Sequence, residues 1–389
     1  MNWFPFKKTL NNKDRAILDA AVQGNSKFAL ELYRKLCAME GNLFFSPYSI
    51  SSALAMTYAG ARGETQTQMA QALHFLLDQK HLHPAFAQLE TKLEQVGKKG
   101  NVKLVSANTL WPSEEYEFLE EFLALVKKFY GALISPINYD DEEAARHMIN
   151  AWVEEKTQNK IKDLISPGVL DSLTRLVLVN AIYFKGEWAT RFDPELSSQE
   201  PFLVAPGSQV QVPMMKLKHE FNYAESDGLQ VLELPYAGED LAMILLLPRE
   251  VTDLAGLEGS LVTENLDKWT KNLEKAEVDV SLPRFELAFP FRLDESLKSM
   301  GMLDAFSTQA DFSGMDGSRE LYIGAVLHKA FVAVNEQGTE AAAATALTMQ
   351  TKALSFPAAF FRADHPFLFL IRAKSTGSIL FIGRVANPI

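Results

Sequence analysis

The stretch EQGTEAAAATALTMQ (336–350) sits between two strongly apolar runs, HKAFVAVNE (328–336) and HPFLFLIRA (365–373), and admits two conformations. Its alanines favour a surface helix on intrinsic propensity. Its alternation favours a strand. Counting from Thr339, one face carries Thr339, Ala341, Ala343, Thr345, Leu347 and Met349, which are uncharged and gain bulk along the chain. The other carries Glu340, Ala342, Ala344, Ala346, Thr348 and Gln350, and with them the only charge. A strand that buries one face and exposes the other has this pattern. Gly338 supplies a permissive hinge just before it, and small side chains ease entry between strands already packed. A segment fit for both a loop and a central strand is a candidate switch.

About thirty residues separate the two flanking runs, and no further element is expected between them. Loops of that length inside a compact domain are uncommon and are functional or disordered. This one is neither strongly polar nor rich in Pro and Gly, which speaks against simple disorder.

The 389 residues are 47% hydrophobic and 22% charged, enough for a large packed core and unlike a disordered chain. A net charge of −11 argues against nucleic acid as a partner. Cys37 is the single cysteine, so an internal disulfide framework and a multi-cysteine metal site are excluded. No apolar run approaches the roughly 20 residues that span a bilayer, and no membrane partner is expected. The first residues, MNWFPFKKTLNNKDR, lack the basic-then-apolar order of a secretion signal.

Helical spacing marks 27–36, 66–73, 84–96, 119–130 and 142–159. A further helix opens at Ser46-Pro47, a capping serine with Pro at the first helical position, and runs to Gly60. After Thr174 the texture becomes strands: LVLVNAIYFKGEW (176–188), QVLELPY (230–236), DLAMILLLP (240–248), EVDVSLPRFEL (277–287) and SILFIGRV (378–385), besides the two runs around the switch segment. Helices followed by strands indicate an α+β fold rather than βαβ alternation. With no linker, the expectation is one large domain over residues 25–389 behind an N-terminal extension, 1–24.

NEQGTEAAAAT (335–345) resembles the hinge of the reactive loop of inhibitory serpins. NLFFSPYSISSALAM (42–56), GARGET (60–65), LVNAIYFKGEW (178–188), VPMMK (212–216), LELPYAG (232–238), SLPRFEL (281–287), ADHPFLFLIR (363–372) and LFIGRVANP (380–388) resemble further blocks of that family and occur in its order. The resemblance implies a single domain of three β-sheets with about eight or nine helices and an exposed reactive loop at about 336–364. It also implies a metastable fold in which the cleaved loop inserts into the main sheet, a behaviour general to the family.

The same resemblance assigns roles. Glu336, Gly338, Thr339, Glu340, Ala341, Ala342, Ala343, Ala344 and Thr345 match the hinge. Ser46, Ser49, Asn180 and His328 match a polar cluster, the shutter, beneath the main sheet. Without the family, these would read as helix-cap serines, a loop amide and a satisfied core histidine. Trp188 and Arg284 match the breach, where the loop enters, and Arg284 is expected to pair with Glu336. The alternative is an ordinary buried aromatic and two surface charges worth about 0–1 kcal/mol. A hydrolase would enlist Ser46, His328 and an acid. However, there is no GxSxG elbow, HExxH, P-loop or glycine-rich dinucleotide motif, so no catalytic residues are expected. His81 and His83 are poorly spaced for a metal, and no metal or cofactor is expected.

The expected function is irreversible suicide-substrate inhibition of a serine protease, in a covalent 1:1 complex, by a monomer. A non-inhibitory member acting as carrier or chaperone is the alternative. The scissile residue in the family usually lies sixteen positions after the hinge glutamate, which here is Lys352. Lys352 also lies fourteen residues before Pro366, as its counterpart does in antithrombin. Cleavage of Lys352–Ala353 by a trypsin-like enzyme is the resulting expectation, with Leu354 or Phe356 as the alternative site. The family resemblance favours an extracellular setting. Without a signal, the cytoplasm is the alternative.

Overall fold

The computed structural model describes residues 12–100, 102–339 and 359–389. Its helices are α1 (Asn12–Leu36), α2 (Pro47–Gly60), α3 (Gly63–Ala72), α4 (Gln79–Gly100), α5 (Glu120–Tyr130), α6 (Glu142–Lys156), α7 (Leu254–Ser260), α8 (Thr263–Lys271), α9 (Asp294–Ser299) and α10 (Ser313–Asp316). Its strands are β1 (Leu43–Phe45), β2 (Lys103–Pro112), β3 (Leu133–Ile134), β4 (Leu176–Glu187), β5 (Ser198–Ala205), β6 (Ser208–Ser226), β7 (Leu229–Pro235), β8 (Leu241–Pro248), β9 (Glu274–Pro283), β10 (Phe285–Arg292), β11 (Ala325–Asn335), β12 (Gly338–Thr339), β13 (Ala359–Arg362), β14 (Phe367–Ala373) and β15 (Ile379–Val385).

The strands form two hydrogen-bonded networks. One is six-stranded, in the order β10-β11-β12-β4-β2-β3. The other is nine-stranded, running β1-β15-β14-β8-β7-β6-β9-β13 with β5 on β6. Where three sheets were expected, two of them are joined through β6. This strand pairs with β5 and β9 along most of its 19 residues and with β7 only at its end, Asn222–Ser226. The helices number ten among the described residues, the shortest being the four-residue α10.

The six-stranded sheet is covered on both faces, which explains the nearly unbroken apolar run of β4. Leu176, Leu178, Ile182 and Phe184 enter the main core, and Val177, Val179, Ala181 and Tyr183 enter a second core with Ile149 and Val153 of α6. All residues of α2 are buried, and it packs on both β4 and β15. A helix enclosed between two sheets needs no polar face.

Several elements differ from the sequence reading. Helix α1 extends back to Asn12 with Leu18, Ala21 and Val22 buried, so position 24/25 lies inside a helix. Strands β2, β5 and β6 lacked a strong apolar alternation and were not anticipated. The run 277–287, expected as one strand, is two strands in different networks, broken after Pro283 at Arg284. Proline withholds a ladder donor, and the chain changes partner there.

Candidate functional site

Strands β4 and β11 run parallel and pair directly from Val177↔Ala325 to Tyr183↔Phe331. Beyond that point β12 lies between them, with Thr339 opposite Val334 of β11 and Gly186 of β4. The chain thus turns back at Glu336–Gln337 and seats Gly338 and Thr339 inside the sheet. Gly338 has φ +152°, and a Cβ there would stand 2.1 Å from the Gly186 carbonyl oxygen. Only glycine fits so close an approach.

The turn is held from several sides. Trp188 donates its backbone N–H to Gln337 O and its indole Nε1–H to Asn335 O, both at 2.9 Å. Phe192 N–H reaches Glu336 O at 2.9 Å. The Glu336 carboxylate accepts from Arg284 Nε at 2.8 Å and from Ser197 Oγ at 2.5 Å. Burial pushes this carboxyl's pKa up, but the hydrogen bonds from Arg284 and Ser197 outweigh burial and hold it below the usual range.

Lower in the same sheet, a row of polar side chains crosses three strands. Asn180 of β4 stands opposite His328 of β11 and Asn108 of β2. Beneath it, Ser46 caps α2 and accepts from Ser49 N–H at 3.2 Å. Asn180 Nδ2 donates to Ser49 Oγ at 2.5 Å and also to Asn108 Oδ1. His328 Nε2 accepts from Ser46 N–H at 3.1 Å, so its proton sits on Nδ1 and is donated to Asn180 Oδ1 at 2.5 Å. Burial lowers the pKa of this imidazole, the Asn180 bond offsets only part of that, and the result is about 3.

This cluster is not catalytic. Ser46 Oγ donates to Leu380 O at 2.6 Å, and His328 engages the Ser46 backbone rather than its hydroxyl. Both residues are fully buried. A nucleophile needs a base within reach of its own proton and room for a substrate, and neither condition is met. Among the described residues no group of three or more His, Cys, Asp or Glu side chains could hold a metal ion. No helix there is long and apolar enough to cross a membrane.

The predicted residues therefore fall into two groups. Glu336, Gly338, Thr339, Trp188 and Arg284 meet at the top of the sheet, and Ser46, Ser49, Asn180 and His328 meet under its centre. Glu340 to Thr345 and the bond Lys352–Ala353 lie outside the described residues. Sequence reasoning missed Asn108, Ser197 and Tyr236. For Asn108 the sequence carried little signal: Ser106 and Asn108 fall on one face only once 103–112 is a strand. Tyr236 closes the LELPY block already noted.

A model of the serpin family, described as serine protease inhibitors, matches residues 23–388. The chain belongs to the serpin family. This serpin is 46% identical over 375 residues to the leukocyte elastase inhibitor of Sus scrofa, covering 94% of this chain and 98% of that one. It is 44% identical over 383 residues to the leukocyte elastase inhibitor of Homo sapiens, covering 95% and 100%. Among solved structures, uncleaved ovalbumin superposes with a TM-score of 0.86 at 32% identity, covering 95% of this serpin and 100% of that chain. Human thyroxine-binding globulin does so with a TM-score of 0.87 at 32% identity, covering 96% and 99%. The family is described as serine protease inhibitors and the relatives are named as inhibitors, not as enzymes.

Proposed function

We propose that this serpin traps a serine protease as a covalent 1:1 acyl-enzyme and inactivates it by drawing the cleaved loop into the sheet between β4 and β11. The protease serine attacks the loop carbonyl, the peptide bond breaks, and an ester to the loop remains. Insertion from Gly338 onward then competes with hydrolysis of that ester, so inhibition is a race. The supporting observation is the seat of Gly338 and Thr339, already paired on both sides where β4 and β11 diverge. Ahead of them, Ala341, Ala343 and Thr345 bring only small uncharged side chains to the face that must be buried. A carrier reading is weaker, because no charged residue or proline lies on that face from Thr339 to Met349, and nothing larger than threonine precedes Leu347. The serpin acts as a monomer and needs no cofactor.

The scissile bond proposed is Lys352–Ala353. Lys352 is the only basic residue between Glu336 and Phe361. A trypsin-like pocket carries a carboxylate that binds such a cation. A second reading is favoured by the relatives' names: an elastase pocket is small and apolar, and it would take a neighbouring apolar residue such as Leu354. Incubation with trypsin and with leukocyte elastase, followed by a denaturing gel and mass spectrometry of the C-terminal fragment, separates the two. A stable complex of summed mass is expected with trypsin, and a fragment beginning at Ala353. A fragment beginning at Ser355 or Pro357 overturns the Lys352 assignment. Clipped chain without complex overturns the inhibitory function.

A further inference from the structure

Resting on that inhibitory reading, we propose that Tyr236 is a positioning residue whose hydroxyl sets the register in which the loop enters the sheet. Tyr236 follows β7 and forms an isolated bridge with Trp188. Its ring is stacked on Trp188, with centroids 4.7 Å apart and planes at 15°. It is also set edge-on to Phe184, at 4.9 Å and 69°. Clamped in this way, the ring has little freedom. Its hydroxyl is fully buried and lies 2.9 Å from Thr339 Oγ1, its sole hydrogen-bond partner among the described residues. Thr339 is itself fully buried.

An inserting strand rich in alanine has a register problem. Residues two apart occupy the same face, and a run of alanines looks nearly the same after each two-residue slip, so packing discriminates poorly. From Thr339, steps of two lead to Ala341 and Ala343, neither with a hydroxyl, and the next threonine is Thr345. A slip of two or four residues would leave the Tyr236 hydroxyl buried without a partner, which is unfavourable. The correct register satisfies it. Burial also pushes the phenol's pKa far above its ordinary value, so the hydroxyl keeps its proton and can still donate. The bond therefore fixes the first pair of the new strand before the protease arrives.

The test is a double-mutant cycle of Tyr236→Phe and Thr339→Val, which remove one hydroxyl each and keep the shapes. Amide hydrogen exchange at Thr339 is read in the intact chain. The inhibitor consumed per protease inactivated is read with trypsin and leukocyte elastase. Each single variant should speed exchange at Thr339 about fivefold or more and raise the consumption ratio, because one hydroxyl is left buried and unpartnered. The double variant should return toward the wild type in exchange, since no hydroxyl is then left over. Single variants that change nothing, or a double variant no better than the worse single, overturn the proposal. A side chain that only filled space would give additive effects without this rescue. If the wild type inhibits neither protease, the inhibitory function falls, and the exchange cycle still decides the role of Tyr236.

Discussion

Arg284 grips a single oxygen of Glu336 with two nitrogens, Nε at 2.8 Å and Nη2 at 2.5 Å, while the carboxylate side chain is 5% exposed and the guanidinium side chain 45%. The pair joins the break between β9 and β10 to the turn that seats the hinge. It ties the two strand networks together at the point where the loop would enter.

Replacing Arg284 with Met leaves the Glu336 carboxylate buried beside Ser197 alone. Urea unfolding at pH 7 is expected to show a loss of about 1–3 kcal/mol, less than for a wholly buried pair because the arginine is partly solvated. The folded-state pKa of Glu336 is depressed. The pair's stabilisation is therefore complete above the carboxyl's ordinary value of 4.5 and is lost as pH falls through the folded value. Wild type and variant should converge in acid, and a gap that stays constant below pH 4 would contradict this account.

His328 also loses stability as pH falls, but from a higher starting pH. Its folded pKa of about 3 lies below the ordinary 6.5, so the unfolded chain takes up the proton first as pH falls. Stability contributed by the neutral imidazole is present above pH 6.5 and declines toward pH 3 by about 1.4 kcal/mol per unit for this one group. Comparing urea midpoints of the wild type and His328→Gln at pH 7 and pH 5 isolates the term. The wild type should lose more between those pH values than the variant.

Thr339→Arg is expected to leave a folded protein that behaves as a substrate. The side chain at 339 is fully buried between β4 and β11, and an arginine there would carry an unpaired charge into the sheet. The moles of inhibitor needed per mole of protease inactivated should rise several-fold. An unchanged ratio would mean that 339 is not at the mouth of the insertion path.

Cleavage in the loop should raise the melting temperature, because β4 and β11, paired directly from Val177↔Ala325 to Tyr183↔Phe331, can then part and accept a full strand with its ladder of hydrogen bonds. Circular dichroism melts of intact and clipped protein, with denaturant added to keep both transitions in range, give the comparison. Equal transitions would show that no strand is gained.

Much of this was legible in the sequence because it depends on local pattern. Alternation from Thr339, the Ser46-Pro47 helix start and the apolar runs of β4, β8, β14 and β15 are properties of neighbours along the chain. The family blocks placed Ser46, Ser49, Asn180, His328, Trp188 and Arg284 at sites where the structure brings them together. What the chain order could not supply was register between distant strands. Asn108, Asn180 and His328 form one row only because β2, β4 and β11 pair in a particular offset. Tyr236 meets Thr339 across 103 residues only because the turn at 336–337 brings the chain back between β11 and β4. Propensity and periodicity marked most of the longer helices and the apolar strands, but not β2, β5 or β6. The pairing of strands, which depends on the packing of the whole core, decided which polar groups share a buried space.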